Sequence, residues 1–151
     1  MLPFLEEARR RNVGGGVFVL VATSNPSSRD VQEATDPPLF EVVARLLAGL
    51  GRSAGDYPDA GAVVGATRPE IGRRVRELLP EALFLSPGYG AQGGDASGVR
   101  QLLDGGGGGV LVNSSRSILY AYESSASGYR EAAIEASRKA REELRLAGAR
   151  L

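Results

Sequence analysis

Three short stretches of this 151-residue chain combine residue types able to hold a phosphate or read a polar ring edge. The first is Ser86-Pro87-Gly88-Tyr89-Gly90-Ala91-Gln92-Gly93-Gly94-Asp95, where four glycines within seven positions let backbone N–H groups approach an anion. Gln92 adds a side-chain donor, and a helix beginning near Asp95 would add partial positive charge. A tight strand-to-helix turn would use the same glycines, so composition leaves both readings open. The second stretch is Val112-Asn113-Ser114-Ser115-Arg116-Ser117. Arg116 sits among small polar neighbours just past an apolar run, where a guanidinium can grip phosphate oxygens bidentately. The other arginines read as solvated surface groups. The third stretch, Thr23-Ser24-Asn25-Pro26, offers three hydrogen-bonding side chains that could read an amide or heterocycle edge, or equally cap the next segment. Thr67-Arg68-Pro69 reads as a plain helix start, Tyr120 and Tyr122 as packing residues, and Glu6-Glu7 and Glu142-Glu143 as solvated helix faces.

What the chain lacks narrows the chemistry. It has no His and no Cys, which excludes a Ser-His-Asp triad, a cysteine nucleophile, a His/Cys zinc site and any disulfide. Lys139 is its single lysine, so amine chemistry must use Lys139 or a Lys from another chain. The 18 basic and 18 acidic residues cancel, unlike the basic excess of a nucleic-acid-binding surface, so no nucleic-acid partner is expected. With 42% apolar and 24% charged residues, a packed core within one domain, residues 1–151, is expected. There is no apolar run of about 18 residues and no basic-then-apolar leader, so neither a membrane partner nor a signal peptide is expected and the default compartment is the cytoplasm.

Four apolar runs read as the strands that position these loops: residues 17–21, 62–65, 83–85 and 110–112. Each is continuous rather than alternating, as for strands buried on both faces of a parallel sheet. Helical patterns lie between them. Residues 39–50 place Phe40, Val43, Leu46, Leu47 and Leu50 on one face; Pro69 opens a helix to about Leu79 with Ile71, Val75, Leu78 and Leu79 inward. Asp95 caps a helix running through Val99, Leu102 and Leu103, and the five-glycine run after it reads as a flexible loop. A last helix, about 129–147, carries Ala133, Ala136, Ala140, Leu144 and Ala147 along a stripe, and residues 2–11 read as the tail of a helix.

The order (α)-βα-βα-βα-βα implies a parallel α/β sheet. It is either a small open sheet with helices on both faces or part of a (β/α)8 barrel. A complete TIM barrel takes about 250 residues, so these four units make a half barrel. Barrel enzymes frequently hold phosphate in the loops after strands seven and eight. Both anion-suited stretches fall there if these are the last four βα units.

Four strings in order and spacing, 17–26 (VFVLVATSNP), 62–67 (AVVGAT), 84–94 (FLSPGYGAQGG) and 110–118 (VLVNSSRSI), resemble the C-terminal half of orotidine 5'-phosphate decarboxylase, most of all its longer bacterial branch. The opening residues 2–5 resemble the helix before that family's fifth strand. The resemblance implies a cofactor-free TIM-barrel lyase that removes carbon dioxide from orotidine monophosphate, giving UMP in pyrimidine biosynthesis. By it, Gln92 and Arg116 hold the 5'-phosphate with the backbone of Gly93, Gly94 and Ser115; Ser24 contacts the pyrimidine's amide edge, and Pro87 lines the apolar side.

The departure is as informative. The family's Asp-x-Lys-x-x-Asp array and its partner Lys belong to the first half, and Lys139 matches no catalytic position. No catalytic residue is therefore expected in this chain. A half barrel would leave its outer strands unpaired and its inner face exposed. The expected partner is a complementary N-terminal half or a second copy in a homo-oligomer. The reading from another class is a non-catalytic nucleotide- or phosphate-binding or structural half-barrel subunit. A related sugar-phosphate decarboxylase fits less well, because residues 23–26 and 113–116 point to the nucleotide branch.

Overall fold

A computed structural model describes residues 2–12, 15–52 and 55–150. Helix α1 (Leu2–Arg10) leads into strand β1 (Val17–Ala22), followed by a 3-10 turn at Pro26–Ser28 and helices α2 (Arg29–Gln32) and α3 (Leu39–Ala48). Then come β2 (Ala60–Val64), α4 (Pro69–Leu78), β3 (Phe84–Ser86), α5 (Ala96–Arg100), β4 (Val110–Val112), α6 (Ser115–Leu119), a 3-10 turn at Ala121–Ser124 and α7 (Tyr129–Leu146). The strands pair in sequence order, all parallel, so every βα loop leaves the sheet at the same end.

The register separates two faces. One row runs Val19–Ala62–Phe84–Val110, and these side chains face the helices. Phe84, Val21, Val64 and Val75 are almost wholly buried there, with Leu5 of α1 and Leu102 after α5. Each such side chain stabilises the fold by roughly 1.5–3 kcal/mol. The alternate row, Leu20–Val63–Leu85–Leu111, lies on the opposite face, which no described helix covers. Leu20 is 57% exposed, Leu111 49% and Phe18, packed over Gly61, 42%. The outer strands are thus not buried on both faces, as their continuous apolar runs predicted. Apolar sequence on both faces tells what a strand can bury, and here only half of it is met.

The helices keep most of their expected inward faces. Phe40, Ala44 and Leu47 anchor α3, but Leu46 is 65% exposed because the helix turns a narrower stripe to the sheet than the spacing implied. Ile71, Val75 and Leu79 are buried under α4 as predicted. The helix after Asp95 stops at Arg100, shorter than expected, and Val99 and Leu102 pack from its end and the following turn. The five-glycine run is not a loose loop. Asp104 gathers it: Oδ1 accepts from the N–H groups of Gly106 and Gly108, and Tyr57 Oη donates to Oδ2 while accepting from Gly109 N. Gly107 and Gly109 take the positive φ that this tight path requires.

Two arginines secure the end of the sheet opposite the βα loops. Arg9 of α1 reaches the buried Asp59 before β2 through Nε (2.6 Å) and Nη2 (2.8 Å), and Arg52 N donates to the same carboxylate. Arg76 turns inward from α4 and lies 3.7 Å above the Phe84 ring. Its guanidinium donates to the carbonyls of Leu102, Leu79, Ala82 and Gly109 at 2.7–3.0 Å, and more weakly to Pro80. Burial pulls its pKa down to about 10, against the opposing pull of Asp104, so it stays charged at neutral pH.

Arg76→Met should therefore cost roughly 3–5 kcal/mol in urea unfolding, because it strands several buried carbonyls. Arg76→Lys should recover only part of that, since one ammonium cannot span the fork. Asp59 gives a second expectation. The Arg9 hydrogen bonds hold its carboxyl below the ordinary value of 3.8 against the opposing pull of burial, with Arg52 N–H helping. A depressed folded pKa contributes stability above the unfolded value and loses it as pH falls through the folded one. The acid limb of a stability–pH curve below 3.8 should be shallower in Asp59→Asn than in the parent.

Candidate functional site

The two anion-suited stretches meet. The loop after β3 and the loop after β4 leave adjacent strands, and together they line a cleft of about 100 Å³ walled by Pro87, Gly88, Gln92, Asn113, Ser115 and Arg116. That volume admits a phosphate-sized group and falls well below the roughly 300–1,000 Å³ that encloses a whole small molecule. The Arg116 guanidinium is exposed at its rim, and no hydrogen bond or ion pair from another described residue holds it. Ser115 Oγ donates to Asn113 Oδ1 at 2.8 Å, which fixes the turn that carries Arg116.

Ser24 joins this cleft from β1, two strands away. Its hydroxyl donates to Gln92 Oε1 at 2.8 Å, bridging 68 positions of sequence. With the oxygen so occupied, both Gln92 Nε2 hydrogens remain for a ligand. Thr67, placed by the sequence in a plain helix start, is the residue that the reading missed. Its Oγ1 donates to Ser24 O at 3.1 Å and so sets the height of Ser24 above the sheet. Arg68 beside it pairs with Glu33 at 2.6 Å and Glu70 at 3.3 Å, tying the β1 and β2 loops together and holding the Glu33 carboxyl below its usual range. Asn25, from the same stretch as Ser24, turns elsewhere: its Nδ2 donates to Ser27 Oγ.

The backbone donors of the glycine loop are arranged differently from the sequence expectation. Gly93 N donates to Gly90 O, Gly94 N to Gly88 O and Ala91 N to Ser117 Oγ, so each already has an acceptor within the loop or its neighbour. The expected helix N-terminus is also spent. Helix α5 has five residues, and Asp95 Oδ1 accepts from Gly98 N at 2.8 Å, a bond that with Ser97 lowers the Asp95 pKa. The cleft's charge therefore comes from Arg116, with Gln92 adding neutral amide donors. Lys139 is exposed on α7 and does not line the cleft. Among the described residues no group of His, Cys, Asp or Glu could hold a metal, and no helix is long and apolar enough to cross a membrane.

Four parallel βα units, with an anion-sized cleft at the C-terminal ends of the last two strands, define a TIM-type (β/α) scaffold, half of a complete barrel. Residues 1–132 match the model of the orotidine 5'-phosphate decarboxylase / HUMPS family, and the chain belongs to that family. It is 48% identical over 126 residues to orotidine 5'-phosphate decarboxylase of Caldicellulosiruptor bescii, covering 80% of this chain and 41% of that one. The Deinococcus radiodurans enzyme is 42% identical over 135 residues, covering 89% and 49%. The structure of Leishmania donovani UMP synthase superposes with a TM-score of 0.65 at 38% identity, covering 84% of this chain and 27% of that one. The Leishmania donovani OMP decarboxylase structure gives 0.64 at 30% identity, covering 89% and 49%. The chain spans less than half the length of these relatives.

The loop geometry makes a direct expectation. Gly94 lies 2.7 Å from Gly88 O and 2.8 Å from the Ala66 side chain at the point where a Cβ would stand. Gly94→Ala should force the loop base apart and cost about 1–3 kcal/mol in urea unfolding.

Proposed function

We propose that this chain supplies the phosphate- and pyrimidine-binding half of an orotidine 5'-phosphate decarboxylase. In that reaction the bond from the pyrimidine ring to the carboxylate breaks, carbon dioxide leaves, and the electron pair left on the ring carbon takes up a proton to give UMP. In this reading Gln92 Nε2 and Arg116 hold the 5'-phosphate, with Ser115, Gly93 and Gly94 as its backbone surroundings. Ser24 meets the amide edge of the ring, and Pro87 closes the apolar side. The observation that carries the reading is the convergence of Ser24, Gln92 and Arg116 from three strand ends on one cleft beside an uncovered apolar sheet face.

The proton donor and the charge array around the departing carboxylate come from a partner segment carrying Asp-x-Lys-x-x-Asp, either a complementary (β/α)4 half or another chain. Preorganised charge is commonly the largest catalytic contribution. This chain's own share is remote binding energy, which accelerates the chemistry only when the reacting groups are held against it. The second reading, a non-catalytic nucleotide-binding half barrel, is favoured by the position of Lys139, the single lysine, away from the cleft.

Purified chain should bind UMP, and Arg116→Ala should weaken binding about 10- to 150-fold, the equivalent of roughly 1.5–3 kcal/mol for a charge-assisted contact. Unchanged affinity in that variant would remove the phosphate assignment. Loss of pyrimidine absorbance from orotidine monophosphate should be undetectable with this chain alone and appear when a complementary half is added. Continued silence in a stable complex would favour the binding module.

A further inference from the structure

One of the cleft's donors, Gln92, sits on a glycine-rich loop held mainly at its base. Residues 90–93 form an exposed arc containing Gln92, and Gly90 and Gly93 within it are at positive φ. The arc springs from a buried base, Gly88 and Tyr89 on one side and Gly94 on the other. Backbone hydrogen bonds from Gly90 N to Gly94 O at 2.7 Å and Gly94 N to Gly88 O at 3.0 Å close that base. Ser114 Oγ donates to Tyr89 O and stitches it to the Arg116 turn.

Between Gly88 and Gly94, Tyr89 is the one aromatic residue; it borders the cleft, and its side chain reaches α7. Its ring is buried with Ala66, Val99 and Leu144, and its hydroxyl donates to Glu143 Oε2 of α7 at 2.6 Å, across 54 positions of sequence. Phenylalanine would fill the same space, so packing alone does not require the hydroxyl. Burial, reinforced by Glu143, pushes the phenol pKa well up and keeps it a donor.

We infer that Tyr89 is a positioning residue whose hydrogen bond to Glu143 lets the C-terminal helix set the pose of the Gln92 arc against Arg116. The inference rests on the anion-binding reading above and adds α7, which touches no ligand in that reading, to the machinery of affinity. Tyr89 acts through the main chain: its carbonyl is held from the β4 loop, its side chain from α7, and the arc follows both. A loop of glycines without that anchor would sample more conformations and pay more entropy on binding.

The test is calorimetric titration of UMP and uridine into the parent chain, Tyr89→Phe, Glu143→Ala, Glu143→Gln, the Tyr89→Phe/Glu143→Ala double variant and Arg116→Ala, each verified as folded by its urea transition. Tyr89→Phe and Glu143→Ala should each raise the Kd for UMP roughly three- to tenfold, with the double variant no worse than either single one. Glu143→Gln keeps an acceptor and should retain most of the affinity. Uridine binding should not follow, because the loop holds the phosphate. If Arg116→Ala weakens UMP and Tyr89→Phe does not, the positioning role is overturned while the phosphate site stands. Additive losses, or equal losses for UMP and uridine, overturn it as well. If the parent does not bind UMP, or Arg116→Ala leaves UMP affinity unchanged, the anion-binding reading itself fails and the inference falls with it.

Discussion

A buried guanidinium organises this sheet from the end opposite the cleft. Arg76 draws together the exit of α4, the approach to β3, the exit of the α5 turn and the approach to β4 through the carbonyls of Leu79, Ala82, Leu102 and Gly109. An unpaired charge at this depth would be prohibitive, yet four short hydrogen bonds and the Phe84 ring face replace the water it gives up. The consequence reaches the other end of the strands. With β3 and β4 only three residues long, their starting points fix where their loops begin, and the cleft lies between those loops.

Stability and recognition are thereby divided along the strand direction, as is usual for barrel scaffolds. The end held by Arg76, Asp59 and Asp104 has side chains satisfied by backbone and by one another. At the loop end, the N–H groups of Gly90, Gly93 and Gly94 find acceptors within the glycine loop and Ala91 N finds Ser117 Oγ, while Gln92 Nε2 and the Arg116 side chain have no partner among the described residues. A cleft whose free donors are side chains is more easily disordered than one lined by backbone donors, because every rotatable bond adds freedom. The Ser24–Gln92, Thr67–Ser24 and Tyr89–Glu143 hydrogen bonds are the compensation: each removes freedom from a group that the cleft needs.

Strands, their order and the loops that line the cleft were legible because parallel strands announce themselves as continuous apolar runs and these loops as glycine beside Gln or small polar residues beside Arg. The meeting of Gln92 and Arg116 followed from adjacent strands. What escaped were contacts between distant segments with no compositional mark. Thr67 looked like a helix start because its partner is the carbonyl of Ser24, which no side-chain pattern records. Glu143 looked like a solvated helix residue because its partner tyrosine lies 54 positions earlier. The glycine run looked loose because the acceptor that orders it, Asp104, is one carboxylate at its edge. The exposed Phe18, Leu20 and Leu111 show the converse limit: a run can be apolar throughout while only one of its faces is covered.

That uncovered face bears directly on how a half barrel could take part in catalysis. Leu20, Val63, Leu85 and Leu111 form a row across all four strands on the side away from the helices, and the cleft opens at the end of two of those strands. In the proposed reading, a phosphate held at Arg116 would lie several bonds from the ring carbon that loses carbon dioxide. Its binding energy reaches that carbon only if the groups acting there are held at a fixed distance, since misplacement of about 1 Å can cost a hundredfold in rate. Burying a contiguous apolar row against a complementary segment would provide that rigidity, because packed interiors do not deform continuously. The same uncovered surface is thus the one through which the proposed grip on a nucleotide would be converted into rate.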